Sequence, residues 1–224
     1  IHQGWDAIDM SSRGSQDDFF QNVLNGDAFL YEDSIALDST RKFLEIRKYG
    51  QKQTVNTGYD EAVKKFANGE AYMFFQGNWA YPMIKKINPD IDLLFMPFPA
   101  YHENQAKVVV KIDATLGVSA SCKHLEAVEQ FLDYVFSKNV SEYYADKAGA
   151  YSCIKSVDVE DSYAKAFTDS IRSGEFFLEE FAYETEKSDA INALFQNFIS
   201  SPQRDTEKSF LKELNDLLIQ QKGD

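Results

Sequence analysis

Positive charge is scarce in this chain. Twenty-three Lys and Arg stand against 36 Asp and Glu, a formal net charge of −13. A nucleic-acid partner needs a basic footprint to neutralise phosphates, so that class is disfavoured and no nucleic acid is expected. Cysteine is nearly absent. Cys122 and Cys153 leave two options, a single disulfide or two small buried apolar residues, and no disulfide framework. His2, His102 and His124 are scattered, with neither an HExxH nor a Cys-x-x-Cys, so no metal and no other cofactor is expected. There is no P-loop and no D-x-D-x-D-G calcium loop. Gly117-Val118-Ser119-Ala120-Ser121 starts like a nucleophile elbow but lacks the closing glycine. Acidic pairs such as Asp17-Asp18, Glu160-Asp161 and Glu179-Glu180 are adjacent in sequence, so on helices they diverge and read as solvated faces. No apolar run approaches the ~20 residues of a membrane span. No signal peptide opens the sequence; Ile1 reads as the middle of a domain, with any targeting signal upstream.

What is present is an ordinary globular balance, 44% hydrophobic and 26% charged, with ample material for a core. Aromatic residues make up 14%, more than a core alone calls for. Tyr and Trp in such number also suit a site that lays flat faces on a ligand while donating hydrogen bonds. Residues 1–14 show no period and read as a loop. Helices are expected over 15–25, ended by Asn25-Gly26, and after a cap at Asp33 or Ser34, closed by Gly50. A capping box at Thr57–Asp60 opens another, stopped by Asn68-Gly69. Residues 71–77 read as a buried strand, and 78–87 as a turn and helix with Pro82 in the first turn. Further extended runs fall at 91–99, 106–112 and 116–120. Helices follow over 124–137 and from a cap at Asn139 with Glu142 at the third position, ending near Gly149. From about 158 everything reads as helical, with a break at Ser200-Ser201-Pro202. The last helix buries Phe210, Leu214, Leu217 and Leu218. Strands alternating with helices early, and helices late, point to an α/β fold.

Three stretches carry a resemblance. They are KKFANGEAYMFFQGNWAYPMI over 64–84, the run from IDLLFMPFP to VVVKIDATLGVSASCKHLEAVEQFLDYVFSK over 91–138, and SEYYADKAGAYSCIKSV over 141–157. Their order and spacing resemble the family 1 extracellular solute-binding proteins of bacterial ABC importers, of carbohydrate type. Cys153 departs from the proline common at that point, and the family's further front portion is missing. The resemblance implies a periplasmic-binding-protein-like (type II) α/β fold of two lobes. This chain would supply mainly the C-terminal lobe plus part of the N-terminal lobe. Residues 1–112 would be the first part of the C-terminal lobe, 113–165 a crossover and returning part of the N-terminal lobe, and 166–224 the helical closing part of the C-terminal lobe. It also implies capture of a sugar or oligosaccharide without catalysis, and delivery to membrane permease subunits. The protein would then work outside the cytoplasmic membrane, in the periplasm or lipid-anchored on the outer face.

The candidate ligand-binding residues follow from chemistry and from this resemblance together. Trp79 stands at a strand-to-helix turn, where ligands of open α/β sheets collect, and an indole offers an apolar face to the C–H side of a pyranose. The family's matching tryptophan commonly lies in the sugar site. Gly77 would allow close backbone approach, and the Asn78 amide could serve hydroxyls. Asp113 follows a β-branched strand and could accept hydrogen bonds from vicinal hydroxyls, or simply make a turn. Tyr81 and Tyr151 could line the cleft or pack internally; Trp5 could line it or plug the early helices. A polyamine or other small cation would also suit a Trp and Asp pair. A glycoside hydrolase would need two carboxyl groups flanking one cleft, one with a raised pKa. A structural or adhesion fragment would show a flat surface around Trp79.

Overall fold

The computed structural model describes residues 2–13, 18–51, 56–98, 107–110, 115–148, 150–157, 165–174, 176–178, 185–201 and 206–219. The chain divides into two compact units. One comprises Ile1–Thr57, Pro97–Lys111 and Phe176–Asp224, the other Gly58–Met96 and Ile112–Glu175. These are units of packing within this chain, whereas the lobe boundaries expected at 112/113 and 165/166 concern a whole binding protein.

The first unit opens with helix α1 (His2–Arg13), where a loop was expected. Its inward stripe holds Trp5, Ile8, Asp9 and Ser12 at helical spacing, but half of it is polar, which hides the period from a hydrophobicity reading. Asp9 and Ser12 are served within the helix, by Arg13 and the Ile8 carbonyl, while Trp5 and Arg13 reach along the chain. The Trp5 indole N–H donates to Thr40 Oγ1 at 2.9 Å, and Thr40 in turn donates to the Ala36 carbonyl at 2.8 Å. Arg13 donates to Asp9 at 2.5 Å and to Asp33 at 2.7 Å, with its guanidinium 3.8 Å from the centre of the Phe19 ring.

Helix α2 (Phe19–Asn25) ends at Gly26, whose φ of +79° is the left-handed cap expected there. Helix α3 (Ser34–Arg47) is capped by Asp33, which accepts from the Ala36 N–H at 2.8 Å. The same Asp33 oxygen receives Arg13, so one carboxylate starts α3 and docks α1 on it. Helices α9 (Thr185–Ser200) and α10 (Glu207–Ile219) complete the core. Phe198 stacks on Phe210 at 4.1 Å, and Phe195 meets Phe210 edge-on at 4.9 Å. Phe210, Leu211, Leu214, Asn215 and Leu218 are buried on α10; Leu217 only packs at the margin. Asn215 accepts from the Leu30 N–H at 2.9 Å, fixing the short 3-10 turn Leu30–Glu32. Strands β1 (Val108–Val110) and β2 (Phe176–Leu178) pair in parallel, Val108 opposite Phe176. β2 interrupts a region expected to be all helix.

The second unit has a smaller core of Val63, Ala67, Ala80 and Ile84. Helix α4 (Tyr59–Ala67) supplies the first two and α5 (Tyr81–Ile87) the last, with Pro82 in its first turn as expected. The expected capping box is not used. α4 has Gly58 at its N-cap, which carries no side-chain oxygen, and Asp60 and Glu61 instead favour the helix dipole. Helix α6 (Leu125–Val135) agrees with its apolar stripe, yet none of its residues is buried. Helix α7 (Lys138–Ala148) begins one residue before Asn139, which is therefore inside the helix rather than its cap. Gly149 lies outside the described residues. Helix α8 (Lys165–Ser173) completes the unit.

Residues 71–77 are not a buried strand. Tyr72 is fully exposed, Met73 is 84% exposed, and no ladder forms there among the described residues. Residues 91–98 keep the strand alternation, with Ile91, Leu93 and Phe95 partly buried and Asp92, Leu94 and Met96 outward, again without a strand partner among the described residues. Residues 116–120 are exposed and unladdered. A strand exists only with a partner, so the alternation survives here without the sheet. Cys122 and Cys153 are both free, and Cys153 is exposed, so neither the disulfide nor a buried pair is realised.

Candidate functional site

The second unit presents its chemistry around the turn between α4 and α5. Asn78–Ala80 form a single 3-10 turn, closed by the Ala80 N–H on the Gly77 carbonyl at 3.1 Å. Ala80 is buried in the core beside Val63, Ala67 and Ile84, and anchors the turn from below. The side chain one residue earlier must then point away from the core. That residue is Trp79, 40% exposed. The frame beneath is stiff. Phe66 stacks on Phe74 at 5.3 Å, and the Asn88 amide donates to the Ala67 carbonyl at 2.9 Å, tying the ends of α4 and α5. Lys85 donates to the carbonyls of Pro89 at 3.0 Å and Ile91 at 2.8 Å, which aims the 91–98 segment.

Gly77 differs from its expected use. Its N–H donates to the Gln76 side-chain oxygen at 3.0 Å, and its carbonyl closes the turn. The close approach that needs a glycine is made by Trp79. A Cβ added at Gly77 would fall inside the Cε3, Cζ3 and Cη2 edge of the indole. Asn78 is partly buried on the same turn.

Tyr81 and Tyr151 are joined by two residues that sequence reasoning did not single out. The Tyr81 ring lies 6.1 Å from Phe95, Phe95 meets Phe167 edge-on at 5.6 Å, and Phe167 lies parallel to Tyr151 at 6.4 Å. Burial pushes the Tyr151 hydroxyl well above its usual range, so it stays protonated and able to donate. The signal for Phe95 was the alternation at 91–98, which puts it on the inward face with Ile91 and Leu93. Phe167 on α8 left no comparable signal.

Two candidates fall elsewhere. Trp5 does not line an accessible surface. It is fully buried in the first unit, edge-on to Phe20 of α2 and beside Phe195 of α9, because these two helices bring apolar rings to it. It is the plug beneath the early helices. Asp113 lies outside the described residues. What is assembled is a half-exposed indole on a rigid turn and, from Tyr81 two residues on, an aromatic row ending at the partly buried Tyr151. Such surfaces hold the C–H faces of rings and cations.

Burial moves the Asp9 carboxyl from the ordinary 3.8 to about 6, a value suited to acid catalysis, against the pull of Arg13. Asp9 has no exposed surface and is bonded to Arg13 inside the first unit, so it cannot serve as the acid of a hydrolase cleft.

Comparison with known proteins accords with this character. The sequence profile of the family described as bacterial extracellular solute-binding protein matches residues 5–141, more than half of the chain. A multiple sugar-binding protein of Streptococcus mutans serotype c is 29% identical over 136 residues, 61% of this chain and 31% of that protein. Among solved structures, RafE in complex with raffinose aligns with a TM-score of 0.75 at 20% identity, covering 99% of this chain and 58% of that one. A chitin oligosaccharide binding protein aligns with a TM-score of 0.69 at 16% identity, covering 97% and 57%. This chain thus spans under two thirds of each relative. The relatives are binding proteins rather than enzymes, and the structural likeness gives the type II periplasmic-binding-protein fold expected from the sequence. On the extent of the profile match, the chain belongs to the bacterial extracellular solute-binding protein family.

Proposed function

We propose that this chain is part of the substrate-binding component of an ABC importer, which captures a sugar or oligosaccharide and hands it to membrane permease subunits without chemical change. The single observation that carries the reading is Trp79, an indole held half-exposed by a turn whose next residue is locked in the core. Sugar is favoured as ligand because the relatives include a multiple sugar-binding protein, a raffinose complex and a chitin oligosaccharide binding protein. The protein acts outside the cytoplasmic membrane, held by a lipid anchor. It has no catalytic role.

In this reading the ligand lies between two lobes of the whole protein. Residues 1–112 and 166–224 belong to the C-terminal lobe and 113–165 to the N-terminal lobe. The exposed apolar side chains of 71–77, 91–98 and α6, among them Tyr72, Leu94 and Phe131, meet the portion of the fold that this chain does not span. Lobe closure is driven only by contacts that exist in the closed state, and the Trp79 face is one of them.

Titration calorimetry of the intact protein against raffinose, chitin oligosaccharides and spermidine tests this. A sugar should bind, and Trp79→Ala should weaken it at least about tenfold, about 1.4 kcal/mol, with the fold retained. Binding of spermidine but no sugar would replace the sugar reading with the cation reading. An unchanged dissociation constant in Trp79→Ala removes the indole from the site.

A further inference from the structure

A Cβ added at Gly77 would lie 2.1 Å from Cζ3 of Trp79, whereas one added at Gly26, Gly58, Gly69, Gly117 or Gly174 would meet nothing within 4 Å. The Gly77 contact lies in the turn that presents the indole. We propose that Gly77 is a positioning residue: its bare Cα is the seat on which the six-membered edge of Trp79 rests, and this seat sets the orientation of the ring toward ligand. The functional step rests on the sugar-binding reading above; the seat itself does not.

Three observations carry it. First, the backbone at Gly77 does not require glycine. Its φ of −76° and ψ of 166° are extended values open to any residue. The need for glycine therefore comes from the ring alone. Second, the backbone cannot move aside easily. The Gly77 N–H is engaged by Gln76 and its carbonyl by Ala80, whose side chain is buried in the core. An added methyl must displace the indole, since the turn beneath it is pinned. Third, the contact is made by Cε3, Cζ3 and Cη2. The benzo edge is seated on the protein, and the pyrrole part with its N–H is not among the nearest atoms. A ring so held gives a ligand a fixed surface rather than one of several rotamers, which reduces the ordering cost of binding.

The two tryptophans allow the seat to be read without any ligand. Trp5 is fully buried and Trp79 is 40% exposed, so acrylamide quenching of fluorescence reports Trp79. Gly77→Ala should raise the quenching constant by about half, as the lifted ring gains solvent-facing area. In the intact protein with raffinose as probe, Gly77→Ala should weaken binding about tenfold, and the same substitution in a Trp79→Ala background should change affinity less than about twofold, since two residues acting through one contact are not additive. The Trp79→Ala background should also accept Gly77→Ala with its melting temperature kept, because the added methyl then meets no ring.

Unchanged quenching in Gly77→Ala overturns the proposal. So does an equal loss of affinity in both backgrounds, or failure of Gly77→Ala to fold even in the Trp79→Ala background. If unaltered protein does not bind raffinose, or if Trp79→Ala binds as well as unaltered protein, the ligand reading for that sugar fails, and quenching and melting still decide the seat.

Discussion

Asp9 offers a test in which two physical effects make opposite predictions. It is fully buried and bonded to Arg13, which also reaches Asp33 at 2.7 Å. If the attraction to Arg13 outweighs burial, replacing Asp9 with the neutral isostere Asn breaks a buried ion pair and costs about 3–5 kcal/mol. The raised pKa says otherwise. Burial moves the carboxyl from 3.8 to about 6 even with the Arg13 attraction included, so the folded state holds the proton more tightly than the unfolded state. A group of this sign adds stability at pH below its unfolded value, and that contribution fades as pH rises through about 6. Two pH units correspond to roughly 3 kcal/mol, taken as an upper bound. Asn resembles the protonated acid: its carbonyl still accepts from Arg13, and Arg13 keeps Asp33. Asp9→Asn should therefore be within about 1 kcal/mol of unaltered protein at pH 4.5, where folded Asp9 is still protonated and only its unfolded form, with the ordinary value of 3.8, ionises. At pH 7.5 it should be equally or more stable, by up to about 3 kcal/mol. Urea unfolding at the two pH values, with a common m-value, gives both differences. A loss of 3 kcal/mol or more at pH 7.5 would refute the argument and place the Arg13 attraction above the burial term.

Two further expectations concern the frame of the first unit. Asn215→Ala leaves the buried Leu30 N–H without its acceptor and should lower stability by about 2 kcal/mol, visible as a lower midpoint in urea; a loss below about 0.5 kcal/mol would show that the turn finds another partner. Gly26→Ala places a side chain at φ +79° in open space, so only backbone strain acts, and about 1 kcal/mol should be lost, measured the same way; no change would mean that the helix end adopts a different cap.

Much of the local structure was legible because its causes are local. The caps at Asp33, Gly26 and Gly69, Pro82 in the first turn of α5, and the stripes of α6 and α10 depend on residues within a few positions of each other, and spacing alone reveals them. The turn presenting Trp79 was legible for the same reason. Helix α1 was not, since its buried face is partly polar, and its Trp5 and Arg13 are held by Thr40 and Asp33, residues far along the chain. Strand β2 was missed because three residues carry little period, and their partner β1 is distant in sequence. The 71–77 segment was misread because aromatic content signals burial only when something is there to bury against.

The sequence by itself determined the family, the turn chemistry and the aromatic surplus from which the site is drawn. Only the tertiary structure decided which aromatics are enclosed and which are exposed. Trp5 and Trp79 are the same residue type, and each sits in a helical setting. One is enclosed because α1, α3 and α9 converge on it, and the other is exposed because its neighbour Ala80 is the residue that goes inward. Gly77 likewise reads in sequence as room for a ligand, whereas folding fills that room with the indole. Burial and close approach are properties of what surrounds a residue, and those surroundings come from parts of the chain that no local pattern connects.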